Sequence, residues 1–148
     1  MLNKKSHHLL WTTVVEEFLK KNNNGDLLDS DKARIKREDK AYGTILFYKD
    51  ERVIEEFKEK LDAYEQKSLD SWCIEESAML QMNIWNELRL RNIGAHIVHF
   101  DDIDEEVSVA FDIDKNYKLV AMMVFGNIIQ EAAVKPKKDI DKRFIDID

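Results

Sequence analysis

Four glycines and one proline are all the strong breakers in 148 residues, so the chain cannot be divided into many short turn-linked pieces. It reads as mostly helix with a few strands. Leu9, Leu10, Val14, Val15, Phe18 and Leu19 recur at helical spacing, and Asn22-Asn23-Asn24-Gly25 closes the pattern as a C-terminal cap does. The spacing predicts an amphipathic first helix. Residues 26–40 are strongly charged, with Leu27, Leu28 and Ile35 as the few apolar points, and predict a loop leading into a short surface helix.

Three segments have strand character. Residues 42–48 are β-branched and aromatic, of strand length, and apolar on both faces, which predicts a strand inside a sheet. Residues 95–100 and 118–126 predict a second and a third. Asp50 is placed to cap a helix that begins near Arg52 and turns Val53, Ile54, Phe57 and Leu61 toward the core. Residues 71–92 form a long helical pattern in which Ile74, Ala78, Leu80, Met82, Ile84, Trp85, Leu88 and Leu90 fall on more than one face. Such a helix is central or lies at a subunit contact. An acidic stretch, residues 101–106, leads into a helix through Phe111. Strands separated by helices argue an α/β or α+β sheet with helices packed on it, in one domain spanning residues 1–148. Residues 126–148 read as an extended tail packed on a partner.

Charge and motif content exclude several functions. Thirty acidic against 23 basic residues give a net charge of -7, and no stretch concentrates Lys and Arg without acids nearby, so nucleic acid is not an expected partner. No apolar run reaches the ~20 residues that cross a bilayer, and the segment after Met1 is polar and basic where a signal peptide is apolar. The lone Cys73 excludes an internal disulfide and paired-thiolate zinc patterns, and it reads as a small buried apolar residue. A soluble protein of the reducing cytoplasm is expected. Asp112, Asp114 and Asn116 have the alternate spacing of a calcium loop, but Tyr117 stands where that loop needs Gly and Met123 where it needs Glu. His96 and His99 on a strand point to opposite faces, and with His7-His8 they read as packing or surface histidines, so no metal is expected. Hydrolase triads, phosphate-cradling glycine loops and dinucleotide fingerprints are not found.

One ordered set of segments goes further. His8-Leu9-Leu10-Trp11, Tyr42-Gly43-Thr44-Ile45-Leu46-Phe47, Trp72 with Ser77, Met79-Leu80-Gln81 and Trp85, Ile93-Gly94-Ala95-His96-Ile97-Val98-His99-Phe100, Ile103-Asp104-Glu105-Glu106-Val107, Lys118-Leu119-Val120-Ala121 and Phe125-Gly126 follow one another. Together they resemble the flavin mononucleotide (FMN)-dependent nitroreductase family, in its short fungal fatty-acid-response and bacterial branch. The likeness is spread over most of the chain. In that branch the second strand reads Leu-Gly-Ala-Ser-Leu-Gln-His-Tyr, so His96 stands in place of Ser. Asn127 stands where the branch usually has Lys, Glu75-Glu76 replaces Gln-Ser, and Asp101-Asp102 replaces Asn-Pro with one residue deleted before Ile103. The family's Arg-Arg-Ser helix, Ser-Phe-Asn-Gln loop and first strand precede the point at which this sequence starts, so the resemblance implies an N-terminally truncated nitroreductase-like sheet.

The resemblance implies a homodimer that holds FMN at the subunit boundary and passes hydride from NAD(P)H to nitroaromatics, quinones or other small oxidants. It places an apolar flavin slot at Gly94, Ile97, Val98 and His99, with the backbone N–H of His99 or Phe100 directed at N5, and gives Lys135 and Arg143 to the phosphate. It assigns no catalytic side chain. Each residue has a plainer alternative: His99 as an ordinary strand histidine, Lys135 and Arg143 as exposed tail charges, Trp72, Met79 and Trp85 as packing residues. A non-catalytic dimer or binding module that keeps the core without the cofactor is the second reading.

Overall fold

The computed structural model describes residues 1–131 and 133–136. Helix α1 (Lys4–Leu9) continues through a π-helical segment (Leu10–Val14) into α2 (Val15–Asn22). The wide i→i+5 turn carries two adjacent apolar pairs, Leu10-Trp11 and Val14-Val15, and all four side chains are buried. Then follow α3 (Asp29–Glu38), β1 (Gly43–Asp50), α4 (Glu51–Lys58), α5 (Ala63–Leu90), β2 (Ile93–Val98), α6 (Asp104–Phe111) and β3 (Tyr117–Asn127).

The strands form an antiparallel sheet in the order β1-β3-β2, with helices on both faces. From β3, Met122 and Val124 enter a core shared with Trp11, Val15, Ile103 and Val107. Its neighbours Ala121 and Met123 enter a second core with Phe47 and, from α5, Ile84, Trp85 and Leu88. Near the start of β3 the pairing steps from Phe47↔Ala121 to Tyr48↔Leu119, which leaves Val120 as one extra residue. Strict alternation from Met123 and Ala121 would send Leu119 toward α5. The bulge turns it to the opposite core, where it packs.

The strand expected inside the sheet, β1, is instead an edge, and β3 is the centre. Burial of two faces does not require two strand neighbours: Leu46 packs on one core and Ile45 and Phe47 on the other. The outer side of β1 meets Leu2 through an isolated antiparallel bridge, with Leu2 N–H donating to the Thr44 carbonyl at 2.8 Å.

Helix α4 begins as expected, with the Asp50 carboxylate accepting from Arg52 N–H at 3.0 Å. Its inward face is narrower than expected, because Ile54 is buried while Val53 and Phe57 stay exposed. Helix α5 starts at Ala63, well before the expected residue 71, behind a capping box in which Asp62 accepts from Tyr64 and Glu65 N–H and Glu65 answers the Asp62 N–H. Leu69 and Gln81 are buried on its inner side, while Ile74, Met79, Leu80 and Met82 are exposed. Strand β2 ends at Val98, so His99 and Phe100 lie beyond it. Residues 128–131 and 133–136 carry no helix or strand; Arg143, Ile145 and Ile147 lie outside the described residues.

Candidate functional site

One end of the sheet opens into a cleft of about 380 Å³. Its floor is the start of β2 and the end of β3, where Gly94 and Gly126 face each other in register. A Cβ on Gly126 would lie 3.2 Å from both Ala41 Cα and Tyr42 N, so the backbone approaches here more closely than a side chain permits. The walls come from Arg37, Glu38, Lys40 and Tyr42 at the end of α3 and the lead into β1, from His96 on β2, and from Asn127 to Gln130 after β3.

Glu38 controls the electrostatics of this wall. Its side chain is 2% exposed. Arg37 donates to its Oε1 through Nε at 3.0 Å and Nη2 at 2.5 Å, while His96 Nε2 lies 3.1 Å from Oε2. Burial pushes the carboxyl upward, but the neighbouring His96 and Arg37 outweigh burial and hold it below the usual glutamate range. Behind it lies a closed polar set: His7 Nε2 donates to the Glu38 carbonyl at 2.9 Å, and His7 Nδ1 pairs with Thr44 Oγ1 at 2.8 Å. Trp11 Nε1–H donates to the same hydroxyl oxygen at 3.2 Å. A carbonyl can only accept, so His7 carries its proton on Nε2 and the Thr44 hydroxyl donates to Nδ1.

Of the residues expected to hold a cofactor, Gly94 lies in this cleft. Ile97 packs toward α5, whereas Val98 is buried in the opposite core. His99 is exposed, with its Nδ1 donating to the Val120 carbonyl at 3.3 Å. Phe100 packs edge-on against Phe18, and the Arg34 guanidinium sits 4.3 Å from its ring centre. Lys135 is exposed. Arg37, Glu38 and Lys40 were not singled out from sequence; His96 was weighed only as a metal ligand or a packing or surface histidine, and the period-2 pattern of β2, which puts it opposite Ala95 and Ile97, was the one signal toward this wall.

A second, apolar cleft of about 270 Å³ lies between α4 and α5, lined by Val53, Ile54, Phe57, Leu61, Leu69, Trp72, Cys73 and Glu76. Burial, with the nearby Glu76 and Asp70 carboxylates, pushes the Cys73 thiol upward, so it sits there as a neutral thiol. Among the described residues no group of three or more His, Cys, Asp or Glu could hold a metal ion, and no helix is long and apolar enough to cross a membrane.

No family model matches the sequence. The fold is similar to that of nitroreductase CinD from Lactococcus lactis, solved with chloramphenicol, at a TM-score of 0.89 and 27% identity, covering 99% of this chain and 74% of that one. It also resembles a nitroreductase from Saccharomyces cerevisiae at a TM-score of 0.68 and 21% identity, covering 85% of this chain and 66% of that one. The curated Saccharomyces cerevisiae protein "Putative nitroreductase HBN1" is 27% identical over 88 residues, 60% of this chain and 45% of its own length. The chain thus spans less than half of the curated relative that it matches. The architecture is the mixed helix-and-sheet fold of the nitroreductases. In fold and in sequence the chain is similar to the nitroreductases.

Proposed function

We propose that the chain is an FMN-dependent oxidoreductase that takes reducing equivalents from NAD(P)H and passes them to nitroaromatics, quinones or similar small oxidants, acting as a homodimer in the cytoplasm. The observation that carries this reading is the likeness to CinD over nearly the whole chain. The chemistry of the cleft is compatible with it. Strand β2 is the sheet's second edge, and its outward N–H and C=O groups, which bond none of the described residues, suit a flat heterocycle. Arg37 and Lys40 bring positive charge to a chain of net charge -7, which favours a phosphate there.

In this reading the flavin lies along β2 from Gly94 toward His99 and Phe100. Ile97 packs on the α5 side, Val98 supports the strand from the opposite core, and Lys135 and Arg143 reach the phosphate. When bound, FMN supplies the two-electron chemistry. The exposed apolar residues of α5, Ile74, Met79, Leu80 and Met82, provide the face against which a second copy packs. A colourless dimer that keeps the core without the cofactor is the second reading. The opposite orientation of Ile97 and Val98 favours it, since one slot cannot be lined by both side chains.

A visible absorption spectrum, taken after adding FMN and desalting, tests the proposal. Retained flavin bands, and their weakening in a Lys135→Ala/Arg143→Ala double variant, are the expected result. A colourless protein would overturn the flavin reading in favour of the second.

A further inference from the structure

Helices α4 and α5 do not close fully on each other, and the apolar cleft between them has buried inner lining from Ile54 and Leu69. Its two aromatic residues are half bare: Phe57 is 51% exposed and Trp72 41%. One charged residue lines it, Glu76, which is exposed and makes no ion pair among the described residues. Trp72 and Glu76 stand four residues apart on α5, so the indole and the carboxylate share one side of the helix. We propose that this cleft binds a small organic ammonium ion with a flat apolar body, the body against Phe57 and Trp72 and the charged nitrogen at the Glu76 carboxylate.

A cavity of about 150 Å³ holds benzene, so one of about 270 Å³ admits two fused rings or a ring with a short chain. Apolar walls alone hold such a body whatever its charge. An unpaired carboxylate beside an indole face selects a cation, because both attract one. The protein's own nearby cations are placed elsewhere: Lys49 lies 3.9 Å from Asp70, and Lys60 Nζ rests 5.5 Å from the centre of the Phe57 ring. Neither lines the cleft. The Cys73 thiol, in the same lining, reports the sign of the local field. Beyond burial, the Glu76 and Asp70 carboxylates push it upward against the opposing pull of Lys49, a field that favours a cation over an anion. The site needs no flavin, and no bond is made or broken in it.

Cys73 is the single cysteine of the chain, so its alkylation by iodoacetamide, followed by intact mass, reads occupancy of this one cleft. The probes are 1-naphthylmethylammonium, the neutral 1-naphthylmethanol and the anionic 1-naphthoate, each also titrated into the full chain by calorimetry near pH 7. The ammonium is expected to bind on the order of tenfold more tightly than the alcohol, to bind more tightly still than the carboxylate, and to slow alkylation of Cys73 as it fills the site. Glu76→Gln, at an exposed position, is expected to weaken ammonium binding about fivefold, and Trp72→Leu about threefold. Equal binding of ammonium and alcohol would overturn the proposal in favour of an unselective apolar groove. If a second copy packed on α5 covers the cleft, no probe binds and none protects Cys73, which overturns it as well. Ammonium binding that leaves alkylation unchanged, or that Glu76→Gln does not weaken, would place the cation elsewhere on the acidic surface and sink the assignment.

Discussion

His7 Nε2 donates to the backbone carbonyl of Glu38, so the first helix of the chain fixes the main chain of the residue whose side chain faces His96. Thr44 stands at the centre of the same buried set, pairing with His7 and accepting from Trp11. Thr44→Val keeps the shape but orphans both partners. It is expected to cost about 1–3 kcal/mol, measured as a lower urea midpoint by tryptophan fluorescence; an unchanged midpoint would mean the set contributes nothing net.

Tyr48 gives the opposite sign. Its buried hydroxyl has no hydrogen-bond partner among the described residues, and removing an unsatisfied group is neutral or stabilising. Burial, with the Asp104 charge, pushes this phenol up to about 12 from its ordinary value of 10.0. A folded value above the unfolded one means stability is intact below about pH 10 and is lost as pH rises through about 12. Tyr48→Phe is therefore expected to match or exceed the wild type at pH 7 and to lack that alkaline loss, read by urea titrations at several pH values.

The acid side is governed in part by Glu38. Its folded carboxyl is held below the ordinary value of 4.5, so its contribution is complete above that value and is lost as pH falls through the lowered folded one. Glu38→Gln is expected to be less stable than the wild type at neutral pH and to lose less on acidification. Parallel acid limbs in the two proteins would show that the carboxylate carries no such linkage.

At the edge of the sheet, a Cβ on Gly43 would sit 2.5 Å from the carbonyl oxygen of Leu2, a contact that backbone atoms can relieve only by moving. Gly43→Ala is expected to break the Leu2↔Thr44 bridge, raise hydrogen exchange at those two amides, and cost about 1–3 kcal/mol. Exchange at wild-type rates would show that the edge has room to adjust.

The proposed dimer face is open to direct test. Leu80→Glu together with Met79→Glu puts two charges on a surface that is apolar and exposed in one copy. Sedimentation is expected to move from dimer to monomer mass; a dimer that persists would place the contact elsewhere.

Much of this arrangement can be read locally. The spacing of Leu10, Val14, Val15 and Phe18 defines the first helical stretch because a single helix face repeats them, and Asp50 caps α4 by contacts within two residues. The order of strands cannot be read this way. β1 and β3 are both apolar on two faces, and which of them gains a second neighbour depends on pairing between distant segments. The true start of α5 was signalled by Asp62 and Glu65 in capping-box spacing, but the polar residues after them hide the apolar period. The cleft was the least legible part. Glu38 sits in a charge-rich run that reads as solvated, and its burial depends on His7, Arg37 and His96 meeting across three separate elements.

The bulge at Val120 has a consequence for how this sheet tolerates change in length. A central strand is ordinarily where losing a residue is most damaging, because every side chain beyond the cut switches sides. Here the surplus residue already stands outside the pairing. Deleting Val120 would leave a regular ladder with Leu119 and Ala121 on the faces they now occupy, so a gain or loss of a codon here would cost the second core one partly buried side chain and His99 its carbonyl partner without turning the rest of the strand over.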